Sequence, residues 1–80
     1  MYRTRVTERR GYEVLASNLH RLVFERGTTL DEVARAAGIT REQLDAICTG
    51  EIDPDLDVVY RIAQAVGVTG SELIAEPNYN

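Results

Sequence analysis

Side chains able to act as nucleophile, general base or soft metal ligand are few: His20 and Cys48 are each the only one of their kind. No glycine-rich phosphate loop accompanies them, and neither a carboxylate nor a second histidine sits at ligand spacing from His20. That leaves no constellation for catalysis, and no enzyme activity or cofactor is expected. A lone cysteine also excludes an internal disulfide framework and a cysteine-based metal site. His20 is expected to be an exposed or rim residue, with a phosphate contact as the sharper alternative. Cys48 is expected to be a small buried hydrophobe, with a thiol redox switch as its alternative.

The spacings that carry chemistry are those of hydroxyls with carboxyl or amide groups. Thr29 with Glu32, Thr40 with Gln43, and Thr69 with Glu72 each have the Thr-x-x-Glu/Gln form of a capping box. In such a box the hydroxyl accepts a first-turn N–H, and the longer side chain returns to the N–H of the threonine. The three boxes therefore predict three helix starts.

The apolar pattern supplies the helices these boxes begin. Tyr12, Leu15, Leu19 and Leu22 share one face of a helix 1 that starts between Thr7 and Tyr12 and ends before Gly27, with Glu13, Asn18, Arg21 and Glu25 on the other side. Gly11 weakens a helix interior, so the regular part is expected to begin after it. Leu30, Val33, Ala34 and Ala37 form the face of helix 2, closed by Gly38, and Ala34, Ala36 and Ala37 are small enough for a close helix crossing. Leu44 and Ile47 face the core from helix 3, which Gly50 ends. Pro54 takes Asp53 out of helical geometry and leaves Asp55 to cap helix 4, whose apolar set is Leu56, Val59, Ile62, Ala63 and Val66. A short helix 5 carries Leu73 and Ile74 and stops before Pro77. The expected fold class is all-α, a compact five-helix bundle whose helices 2 and 3 form a helix-turn-helix. Its divisions are an arm over 1–10, the domain over 11–76 and a tail over 77–80.

An 80-residue chain makes one small domain, burying roughly 60% of the surface that its unfolded form exposes. No apolar run is long enough to cross a bilayer and no secretory signal opens the chain, so a cytoplasmic location is expected. The nine positive residues are all arginine and face 13 acids, a net charge of −4. Their distribution is polarised. Residues 1–26 hold six arginines against three glutamates, whereas residues 27–80 hold three arginines against ten acids. The arm residues Arg3, Arg5, Arg9 and Arg10 could lie along a DNA minor groove or its phosphates, or form a frayed, soluble terminus.

From about Leu15 to Leu73 the order of these signals resembles the XRE family, the Cro and lambda-repressor-like DNA-binding domains. TLDEVARAAGIT, the Leu44 and Ile47 pair before Gly50, Pro54, and YRIAQAVGVTGSEL carry the resemblance. It implies that helix 3 lies in the major groove of double-stranded DNA, where each base pair shows a distinct donor and acceptor pattern. Arg41, Glu42, Gln43, Asp45 and Ala46 would then be the base-reading positions: Arg41 to a guanine, Gln43 to an adenine, Glu42 to a cytosine amine. Thr29, Thr40, Thr49 and His20 would contact phosphates, Thr29 beside the positive end of helix 2. The resemblance also implies a repressor-type regulator acting as a homodimer on two half-sites, and Leu73, Ile74 and Tyr79, apolar groups with little chain left to cover them, are the expected dimer surface.

Two readings of the residues stay open beside each other. Arg41 and Asp45, four apart, can pair with one another on a solvated helix face. The acidic stretch from Glu42 to Asp57 also suits a basic partner protein, with the helix-turn-helix serving only as scaffold, as in an antitoxin or adaptor.

Overall fold

The computed structural model describes residues 9–75, with backbone alone for residues 9 and 10. Five helices follow one another: α1 (Arg9–Arg26), α2 (Leu30–Ala37), α3 (Arg41–Cys48), α4 (Leu56–Ala65) and α5 (Gly70–Ile74). The described residues are all-helical, as the periodicity required. Helix α2 packs on α3 and α4, while α1 packs on α3 and α5. Leu15, Leu19, Leu44, Ile62 and Leu73 meet in the centre without solvent contact, and each buried leucine contributes about 1.5–3 kcal/mol.

The starts are fixed by side chains. Thr40 accepts from the Gln43 N–H at 2.9 Å while Gln43 Oε1 accepts from the Thr40 N–H at 2.8 Å. Thr69 and Glu72 repeat this reciprocal box at α5, and Asp55 caps α4 through the Val58 N–H. The Thr29 box is only half formed. Thr29 accepts from the Glu32 N–H at 3.1 Å, but the Glu32 carboxylate turns to the Thr28 hydroxyl at 2.6 Å instead of returning to Thr29. A neighbouring hydroxyl donor outcompetes the backbone N–H. Gly38, at φ 77°, closes α2, and the following Ile39 N–H donates back to the Ala34 carbonyl at 3.0 Å. Helix α2 thus ends in a left-handed glycine turn.

Several expectations are corrected. Helix α1 starts at Arg9, within the expected range, but its regular part runs through Gly11 instead of beginning after it. Asn18 is buried rather than solvated, at 2% exposure, because its amide closes the end of α5. Leu56 stands 81% exposed at the first position of α4, outside the apolar stripe that Val59, Ile62 and Ala63 continue. Leu30 is only half-buried against the core, and Ala36 points outward.

Candidate functional site

The outward face of α3 is set from its two ends. The Thr40 box fixes the first turn. At the far end Gly50, at φ 85°, lets the ring of Tyr12 lie where a β-carbon would stand only 2.7 Å from it. Leu44 and Ile47 anchor the inward face, and Arg41, Glu42, Gln43 and Asp45 are left exposed with Ala46 half-buried.

These four exposed residues differ in what they have to spare. Arg41 Nε donates to Asp45 Oδ1 at 2.9 Å, and its Nη1 donates to Asp31 Oδ1 at 3.1 Å. The two carboxylates raise the guanidinium pKa above its already high ordinary value, chiefly through the hydrogen bond that Asp45 accepts. Gln43 spends one lone pair of its carbonyl on the Thr40 N–H, leaving its amide N–H groups and the second lone pair for a ligand. The Glu42 side chain makes no hydrogen bond among the described residues and is exposed. The expected pair of Arg41 with Asp45 is therefore present. Asp31, ten residues earlier on α2, is a partner that periodicity did not reveal.

The other expected positions are placed as follows. Thr29, Thr40 and Thr49 are exposed at helix ends, and the Thr49 hydroxyl donates to the Ala46 carbonyl at 3.2 Å. His20 is exposed, its Nδ1–H donating to the Ala16 carbonyl at 2.7 Å, which leaves Nε2 as the outward nitrogen. Cys48 is half-buried rather than enclosed. Its thiol pKa is pushed up, first by burial and then by the charge of Asp45. Leu73 has no exposed area and packs inside its own core, so it offers nothing for a second chain to cover. Ile74 is half-buried and lines an open groove of about 520 Å³ between α4 and α5, with Leu56, Val59 and Tyr60. Tyr79, Arg3 and Arg5 lie outside the described residues, as do the side chains of Arg9 and Arg10. No group of three or more potential metal ligands occurs among the described residues.

The family model described as Helix-turn-helix matches residues 20–73, which span every element from the end of α1 to α5. The chain belongs to the helix-turn-helix family, in its XRE-type branch. This helix-turn-helix chain is 34% identical over 62 residues to an uncharacterized HTH-type transcriptional regulator, y4dJ, of Sinorhizobium fredii, covering 78% of the chain and 80% of that relative. Its fold is similar to that of a hypothetical transcription factor, NHTF, from Neisseria, with a TM-score of 0.76 at 27% identity over 84% of this chain and 77% of that one. The restriction-modification controller protein C.AhdI from Aeromonas hydrophila shares the fold at a TM-score of 0.70 and 19% identity, over 78% of this chain and 94% of that one. In the helix-turn-helix chain no described helix is long and apolar enough to cross a membrane.

Proposed function

We propose that this XRE-type transcriptional regulator reads double-stranded DNA sequence-specifically through α3, as a repressor-type homodimer on two half-sites about 34 Å apart. The observation that carries the reading is the exposed row Arg41, Glu42, Gln43 and Asp45 on a helix whose first turn is locked by the Thr40 box. A rigid helix start presenting forked donors and acceptors is what a major-groove edge requires. Thr29, Thr40, Thr49 and His20 are the accompanying phosphate contacts, and Arg3 and Arg5 of the arm, with Arg9 and Arg10 at the start of α1, add positive charge. The copies meet over the groove between α4 and α5. Leu56 and Tyr60, 81% and 55% exposed, supply apolar area beside Ile74, in the place first expected for Leu73.

A second reading is favoured by one observation. Glu42, Glu51 and Asp53 are exposed and have no ion-pair partner among the described residues. A basic partner protein would find them available.

Fluorescence anisotropy against DNA from upstream of the gene, titrated with salt and scrambled competitor, tests the first reading. Sequence preference with a steep salt slope supports it. Absence of binding at low salt, by a sample that circular dichroism shows to be folded and sedimentation shows to be dimeric, selects the second.

A further inference from the structure

Arg41 is held at two points by carboxylates from two different helices. Asp45 lies one turn along α3 and takes Nε, while Asp31, in the first turn of α2, takes Nη1 across the corner. The three charged groups sum to −1, at the very position that would face the nucleic acid. A solitary guanidinium there would attract every phosphate, whatever the sequence, and sequence-independent attraction of this kind supplies nearly all non-specific affinity. Pairing cancels that attraction. It does not remove the hydrogen-bond donors, since a guanidinium carries five N–H groups in a rigid fork and the two contacts use two of them. A guanine edge asks for donors rather than for charge, because O6 and N7 are neutral acceptors.

Resting on the reading that α3 faces DNA, we propose that Asp31 and Asp45 are specificity-determining residues, which hold Arg41 as a charge-cancelled donor that is withheld from phosphates and offered to base edges. Discrimination is a difference between two affinities, and lowering the non-specific one raises it as surely as improving the specific one. Asp45 thereby acts on recognition through Arg41 even where it touches no base. Asp31 does the same from a helix that reads none.

The test measures anisotropy of wild type, Asp31→Asn, Asp45→Asn and the double variant on two duplexes. One has random sequence, and the other is selected from a random pool for tightest binding to the wild type. All three positions are exposed, and circular dichroism melts confirm that the variants are folded. The double variant is expected to bind the random duplex about tenfold more tightly at low salt, with a salt slope steeper by about one. The ratio between selected and random duplex falls accordingly. Repeating the double substitution on an Arg41→Ala background separates the lock from a general loss of negative charge, and there the gain should vanish. A gain of equal size without Arg41, or no gain while the wild type binds DNA, overturns the lock and leaves the DNA reading standing. Failure of every folded variant to bind either duplex at low salt overturns both.

Discussion

The ring of Tyr12 on α1 fills the space above Gly50 so closely that a β-carbon there would meet its Cδ2 and Cε2 at 2.7 Å. The contact joins the first helix to the end of α3, and both the positive φ of 85° and the missing side chain are needed for it. Replacing Gly50 by alanine combines left-handed backbone strain with overpacking, at a cost of about 2–3 kcal/mol. The melting temperature of Gly50→Ala should fall by about 10 °C or more, read by circular dichroism. A melt unchanged within a degree or two would show that Tyr12 simply swings away.

Asn18 carries a comparable load between α1 and the end of α5. Its Nδ2 donates to the Leu73 carbonyl at 2.7 Å and to the Ala75 carbonyl at 2.9 Å. Asn18→Ala should lower stability to urea by about 2–3 kcal/mol, since at least one acceptor becomes buried without a donor. Asn18→Asp, of the same shape, should be worse still at neutral pH, because a carboxylate would face two carbonyl oxygens. Wild-type stability of Asn18→Asp would show that shape rather than donation matters there.

For Arg41, substitution by alanine is expected to leave the melting curve nearly unchanged, because its two ion pairs are exposed and such pairs contribute little. Preference between the selected duplex and a scrambled one should drop by about tenfold. Retention of full preference would remove Arg41 from the reading set.

Cys48 makes a prediction in pH. Its folded-state pKa lies above the ordinary thiol value, through burial first and the charge of Asp45 second. The protonated thiol is therefore favoured by folding. That stabilisation is complete below the unfolded thiol pKa and is lost as pH rises through the higher folded value. Alkylation by iodoacetamide at mildly alkaline pH should be slower in the native protein than in urea, and Asp45→Asn should accelerate the native reaction. Native and unfolded chains reacting at one rate would contradict both causes.

The local signals were readable directly from residue order. Thr40 with Gln43, Thr69 with Glu72 and Asp55 with Val58 lie within one turn of each other, so spacing alone places them. The same holds for Arg41 with Asp45. What escaped is non-local or competitive. Asp31 reaches Arg41 only because of the angle between α2 and α3, which no periodicity encodes. Asn18 reads as a polar residue on a polar side until α5 is seen ending against it. Glu32 had two hydroxyls in reach, and geometry rather than spacing chose Thr28. Leu56 was expected in the core and stands exposed, because a leucine at the first position of a helix faces outward from the stripe that begins one turn later, whereas Leu73 is enclosed.

The separation of 55 positions between Asn18 and its acceptor on Leu73 has a bearing on how the chain is made. At ordinary rates of synthesis, α1 is made about 3–10 seconds before the end of α5. Throughout that interval the Asn18 amide lacks its acceptors, and Leu15 and Leu19 lack the leucine that completes their enclosure. The domain therefore closes last at its earliest helix. A chain broken off before Leu73 is expected to stay open, with neither the amide on α1 satisfied nor the leucines beside it enclosed.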